Sequence, residues 1–449
     1  MSRNNIIIAL LVLILGHSTV SLAQNGINSP YSRYGFGMMS DRSMGFNKAM
    51  GGVAQAFRSG SQINTANPAS YAAVDSLTAL FDIGLSVYNG NYKMGNLQQN
   101  ARNASFDYFA FQFRALKHLG ITAAMLPYTN INYSFASSSE TVSGSEDITS
   151  SYTFSGSGGL HKVMLGVGWQ PFKPLSIGVN GSYLYGDYTH SSAMSLSEST
   201  AYSLIRGYSA DISTYMVEFG MQLALPLNKK KGDELVLGAT YGLGHDVKNK
   251  AVRYTETLNS SSTVEGITSD TLTNAFQLPH TFAVGLSYAR QGKWRIGADF
   301  EQEMWSKCKF PNNSTSGTYE STTGQLYDRT KVSLGGEFTP NAQSRTSYFK
   351  RVTYRLGGYY SKSYAKADAT NALSDKPYEF GISAGVALPI QNKNIWYNAP
   401  TINVTLQWVH SNIPYLNSLS QKSALTENYL RLSVGVTFSE RWFYKWKVQ

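Results

Sequence analysis

The chain has 449 residues and a formal net charge of +10, but only 15% of its residues are charged, against roughly 25% in soluble domains. Its single cysteine, Cys308, excludes an internal disulfide framework. The Lys and Arg are dispersed, and the one basic run, Lys229-Lys230-Lys231, lies among the turn-formers Pro226, Asn228 and Gly232, so no nucleic-acid partner is expected.

Residues 1–23 read as a secretory signal peptide. Arg3 supplies the positive start, residues 6–15 the apolar core, and Ser21-Leu22-Ala23 a small-x-small cleavage site before Gln24. The apolar run is too short to cross a bilayer as a helix, and no later run approaches the roughly 20 apolar residues that a spanning helix needs. Export without disulfides suits an outer-membrane barrel, whose closed hydrogen-bond ladder stands in for covalent staples.

Residues 24–75 are rich in Gly and follow no regular period. Phe36, Met38, Met39, Phe46, Met50 and Phe57 fit neither strand nor helix spacing, Gly51 and Gly52 adjoin, and the stretch closes on Asn67-Pro68-Ala69. Irregular backbone of this kind is stable only where other walls satisfy its polar groups. The expectation is an N-terminal plug, or hatch, inside a barrel.

From residue 76 to 438 the pattern becomes regular. Leu77, Ala79, Phe81, Ile83, Leu85 and Val87 alternate with Thr78, Asp82, Gly84 and Ser86, giving one greasy and one polar face. Comparable segments recur to Leu430/Leu432/Val434/Val436/Phe438, for about 14 strands of roughly ten residues, the length that crosses the hydrocarbon. The fold class expected is all-β, a transmembrane antiparallel barrel with the greasy face outward. A soluble sandwich is excluded by the number of two-faced strands and the lack of any composition shift. Short turns are expected near 115–117, 170–174, 227–233 and 290–292, and long polar loops near 89–104, 136–151, 189–207, 244–269, 306–327 and 361–376. Short turns against long loops place the turns in the periplasm. The connections at 340–351 and 390–399 are longer than that rule expects. Residues 439–449 are expected to form a periplasmic tail.

The polar face then lines the lumen with Glu218, Arg295, Asp299, Glu301, Glu303, Lys331, Glu337, Arg355, Glu379 and Arg431. Both signs occur in similar numbers, which fits a balanced solvated lumen as well as a ligand site. Gly381-Ile-Ser383-Ala-Gly385 matches G-x-S-x-G, but that chemistry needs a sharp strand-to-helix turn, and here it falls mid-strand. The seven His show no metal-ligand spacing. No enzyme activity, metal or cofactor is expected.

Taken together, the signal peptide, the Gly-rich segment ending in Asn67-Pro68-Ala69 and the strand series resemble the FadL/TodX family of outer-membrane transporters. Residues 278–286 (LPHTFAVGL), 298–305 (ADFEQEMW) and 331–340 (KVSLGGEFTP) look similar as well. The opening 29–37 and the tail 439–449 look like a Bacteroidetes branch. The resemblance implies a hatch in a Gram-negative outer-membrane barrel set among phospholipid and lipopolysaccharide. It also implies passive uptake of hydrophobic small molecules, fatty-acid or aromatic-hydrocarbon like, along a path past Phe36, Met38, Phe46, Met50, Gly51, Gly52, Asn67, Pro68 and Ala69. Lateral release through a kink in the third strand is implied too, and Pro127 falls there; a rim position without consequence is the other reading of that proline. Family barrels usually end on a terminal aromatic, whereas here eleven residues follow the last strand, leaving room for a protein partner. FadL-like barrels also serve as accessory subunits of outer-membrane complexes such as type IX secretion, which is the second reading of function.

Overall fold

The computed structural model describes residues 28–441, apart from 96, 137–139, 142–147, 199, 229, 313–317, 367–375, 391–399 and 417–421. The expected signal peptide and residues 442–449 of the tail lie outside the described residues. Fourteen antiparallel strands form a closed wall. They are β1 (Thr78–Met94), β2 (Leu97–Leu116), β3 (Leu119–Pro127, continued after a break as β3′, Thr129–Ala136), β4 (Thr149–Phe172), β5 (Leu175–Leu196), β6 (Ser203–Asn228) and β7 (Asp233–Gly242). The second half comprises β8 (Thr281–Arg290), β9 (Trp294–Glu303), β10 (Arg329–Phe338), β11 (Thr353–Lys362), β12 (Tyr378–Pro389), β13 (Thr401–Leu416) and β14 (Lys422–Arg441). Each strand pairs with its chain neighbour, and β14 closes on β1 from Thr78↔Arg441 to Met94↔Leu425. Closure removes the edges that a membrane would leave unsatisfied.

Alternation in the sequence becomes inside against outside. Leu85, Leu334, Leu356 and Ile382 all stand exposed on the outer wall, Leu356 at 64%. Their neighbours Ser86, Ser333, Arg355 and Ser383 are buried on the other face. An apolar exterior around a polar interior is the arrangement lipid imposes, and the barrel belongs in the Gram-negative outer membrane. No described helix is long and apolar enough to cross a membrane.

Strand length divides the wall. β7 to β11 have ten residues each, enough for the hydrocarbon, whereas β4, β5 and β6 have 24, 22 and 26. Much of what reads as loop is therefore sheet. β1 and β2 run through most of 89–104, β5 and β6 through most of 189–207, and a hairpin of Lys250–Leu258 with Val264–Thr273 extends β6. Beyond the lipid neither strand face needs to be apolar, so these Ser, Thr, Asn and Tyr stretches lose the alternation that marks a strand while keeping the ladder. At the opposite end four turns are tight, with His118, Gly232 and Gly292 at positive φ, as short hairpin connections require; the connection at 339–352 there is long.

Candidate functional site

Residues 28–76 touch the inner faces of strands all round the barrel. Three short 3₁₀ turns, Pro30–Arg33, Lys48–Met50 and Pro68–Ala73, are joined by irregular backbone. The Asn67-Pro68-Ala69 signature has a local cause. Pro68 begins the turn, where its missing N–H costs nothing, and the Asn67 side chain accepts from the Ala69 amide at 3.1 Å. The same side-chain amide donates to the Gln55 carbonyl at 2.8 Å and to Met221 of β6 at 3.2 Å. One residue thus caps a turn, ties two parts of the segment and anchors it to the wall.

The segment fits because the wall is trimmed where they meet. Gly51 adopts φ +66°, and a Cβ on Gly357 of β11 would sit 2.2 Å from the Met50 carbonyl carbon. Ser383, from the G-x-S-x-G match, lies within β12 and accepts from the Gly51 amide at 3.0 Å. Two apolar clusters flank the charged middle. Phe46 and Phe57 pack at 5.0 Å between ring centres, with Met44, Met50, Ile63 and Tyr71. Towards the long-strand end, Phe36 meets Phe310 at 5.0 Å, Phe276 at 5.3 Å, Trp305 at 5.9 Å and Tyr188 at 6.3 Å. Trp305 and Phe310 come from the connection between β9 and β10, and both are buried against Phe36.

The inward charges form a layer of pairs. Arg42 bridges Glu301 at 2.9 Å and also contacts Glu303; Arg329 reaches Glu303 at 3.0 Å. Trp305 Nε1 donates to Glu303 at 2.7 Å. Lys48 pairs with Asp107 at 2.6 Å, Arg431 with Asp41 at 3.2 Å, and Lys162 with Glu218 at 3.2 Å. Glu337 is shared by Arg355 at 3.1 Å and Arg295 at 3.8 Å. Asp299 accepts from the Ala54 and Gln55 amides at 2.6 and 2.9 Å. Glu379 accepts from Tyr359 at 2.6 Å, and the Lys331 ammonium lies 4.9 Å over that Tyr359 ring. Burial pushes the Asp41 carboxyl up, but Lys48, Arg431 and Lys331 outweigh it and hold it well below the usual carboxylate range. Sequence reasoning reached ten of these charges but not Asp107, Lys162 or Arg329, nor the polar residues Tyr108 and Asn180, all of which sit on strands. A polar residue in an alternating run was their only signal, and Tyr71, which donates to Asn180 at 3.0 Å, belongs to the lumen segment.

The wall is incomplete at the third strand. β3 pairs with β2 as far as Phe109↔Met125 and with β4 as far as Pro127↔His161. Above Pro127 the chain swings inward, and β3′ pairs with β4 from Ile131↔Gly158 to Ala136↔Thr153. Among the described residues no ladder joins β3′ to the outer half of β2. Proline offers no N–H to a ladder, and Gly158, Gly159 and Gly186 take φ of 122°, 146° and 147° in the adjoining strands, so β4 and β5 bend at the same level. The vacated edge of β3′ is taken from inside: Met38↔Asn130 and Met39↔Thr129 form a short antiparallel pair, and the Ser29 amide donates to the Asn132 carbonyl at 3.1 Å. Asn28 spans the gap, donating to Asn103 of β2 at 3.2 Å and accepting from the Asn132 side chain. Behind the gap lies a cavity of about 150 Å³, bordered by Met38, Met39, Leu126, Pro127 and Tyr128 on the wall side and by Arg42, Lys331 and Arg431 on the other.

A family model described as BamG matches residues 1–449. No match to a curated protein was found. Among solved structures, the chain is similar to the Pseudomonas putida toluene transporter TodX (TM-score 0.58, 14% identity, 92% of this chain and 100% of that one). It is similar to a Pseudomonas aeruginosa FadL homologue (0.59, 11%, 92% and 99%) and to the CymD monoaromatic hydrocarbon channel (0.55, 13%, 90% and 98%). The fold is that of FadL-type outer-membrane transporters.

Proposed function

The chain belongs to the BamG family, and on that premise we propose that it carries small hydrophobic molecules into the outer membrane, with residues 28–76 as the plug and the break at Pro127 as the exit. The observation that carries this reading is the missing ladder between β2 and β3′, backed by a cavity. Structures of similar fold are described as a toluene transporter and a monoaromatic hydrocarbon channel, which supports the ligand class. Passage straight through would bring an apolar molecule against the Arg42–Glu301–Glu303–Arg329 layer, where it would displace hydrogen-bonding partners and leave buried charge unpaired. Leaving sideways past Met38, Met39 and Leu126 skirts Arg42 and Glu301 on one side of the cavity without parting these pairs, and ends in lipid. Binding then rests on apolar burial, about 25 cal/mol per Å² removed from water.

The test is uptake of radiolabelled toluene by cells producing the protein against cells lacking it. Faster entry supports transport. Equal entry, with the barrel shown to be folded and inserted, contradicts it.

One observation favours a second reading, that of an accessory subunit in an outer-membrane complex. The mouth at the long-strand end is filled by Phe36, Phe276, Trp305 and Phe310, and the lumen charges satisfy one another, so the barrel suits a rigid support. In that reading the tail 439–449 makes the periplasmic contact. A partner that co-purifies with the full chain but not after loss of residues 442–449 would mark this role.

A further inference from the structure

The connection between β10 and β11 is out of proportion to its task. It lies at the turn end of the barrel, where two residues, Lys117 and His118, join β2 to β3. Yet it spans 339–352, and its backbone is folded. The Asn341 amide donates to the Lys350 carbonyl at 2.7 Å, the Ser344 amide to Asn341 at 3.2 Å, and the Arg351 amide to Tyr348 at 2.9 Å. The Arg351 guanidinium donates to the Ser344 carbonyl at 2.8 Å and lies 5.3 Å over the Tyr348 ring.

This loop displays two kinds of side chain together. Phe349 is 73% exposed, more than any other large apolar side chain among the described residues, and Tyr348 beside it is also exposed. The loop contains Arg345, Lys350 and Arg351 and no Asp or Glu. Its Thr339 amide donates to the Lys293 carbonyl at 2.6 Å, which brings a fourth basic residue from the next turn. The loop is also tied to the lipid-facing wall. Tyr354 is opposite Phe338 in register, both exposed on the outer surface, and Tyr354 donates its hydroxyl to the Phe349 carbonyl at 3.3 Å.

We propose that the 339–352 loop is a binding site for anionic phospholipid at the periplasmic rim, with Phe349 entering the acyl boundary and Lys350 and Lys293 meeting the phosphate. Aromatic rings and basic side chains share this level because one end of each is apolar and the other polar. An anionic surface strengthens binding roughly fivefold for each Lys or Arg near it. An acidic periplasmic protein could answer the charge, but it would not require the tie to the outer wall through Tyr354. The leaflet assignment rests on the turn end facing the periplasm; the lipid chemistry does not.

The full chain in neutral detergent is titrated with micelles containing phosphatidylglycerol or phosphatidylcholine, reading bound lipid and the thermal midpoint. Inorganic phosphate serves as the free-anion control. The parent should prefer phosphatidylglycerol and ignore phosphate. K293Q/K350Q should weaken phosphatidylglycerol binding about 20-fold and leave phosphatidylcholine unchanged, while F349S should weaken both. Heat-modifiable migration on gels shows whether each variant keeps its barrel, and failure of one leaves the other to decide. Equal affinity of the parent for the two lipids, undiminished binding by both folded variants, or displacement by phosphate would overturn the proposal. So would capture of an acidic protein, in place of lipid, by a photo-crosslinker at position 349. None of these outcomes bears on toluene uptake.

Discussion

The barrel has two seams that ought to be alike. One joins the first and last strands and pairs along all 17 residues of β1. The other joins β2 to its successor and stops at Phe109↔Met125, although β2 continues to Leu97 and the chain beyond Pro127 is extended again. Closure in sequence is thus weaker than closure end to end. Adjacency does not make a ladder; available donors and matching bends do. At β1–β14 every position can contribute. At β3 a proline removes a donor, glycines bend the next two strands, and the lumen segment offers Met38–Met39 as a substitute partner. At the open seam the lumen segment supplies backbone partners to the wall, whereas at the closed seam it meets side chains, as Asp41 meets Arg431 at 3.2 Å.

This contrast can be broken from several sides. Deleting residues 24–70 behind an intact signal peptide should leave an inserted barrel, because the closed ladder does not depend on the segment. Single-channel conductance in a planar bilayer should rise at least about tenfold, and an unchanged value would mean that the segment does not block the lumen. Glu303→Gln should have the next largest effect. Glu303 is 1% exposed and serves Arg42, Arg329 and Trp305 at once. Its neutral replacement leaves two guanidinium groups with Glu301, and breaking a buried pair in this way costs about 3–5 kcal/mol. Urea unfolding in detergent should show the loss, whereas Glu440→Gln at the end of β14 should not. Pro127→Val should have the mildest effect, slowing uptake of a hydrophobic tracer about two- to threefold with assembly unchanged. The restored donor can re-pair only if the glycines of β4 and β5 also straighten.

Much of this architecture is legible in the sequence, for a plain reason. Where lipid lies on one side and polar groups on the other, period two is enforced, and Leu85/Val87 or Leu432/Val434 announce their strand. Pro127 is legible because a missing N–H is a local property. The extensions of β4 to β6 are not, since water on both faces of residues 189–207 enforces no alternation. Which wall charge Arg42 would meet was hidden differently: Glu301 read as inward, but partnership across 259 residues depends on how the segment lies. Asn28 carried no signal at all. Its role comes from standing between Asn103 and Asn132, a juxtaposition made only by the break.

The central claim is that molecules leave through the open seam. Asn103→Cys and Asn132→Cys can be joined by a bifunctional maleimide across the position that Asn28 spans, with either single variant as control. Cells carrying the bridged protein should take up radiolabelled toluene at the rate of cells without it, and the unbridged double variant should match the parent. Uptake at the parental rate with the bridge complete would contradict release at β3 and return Pro127 to a rim residue.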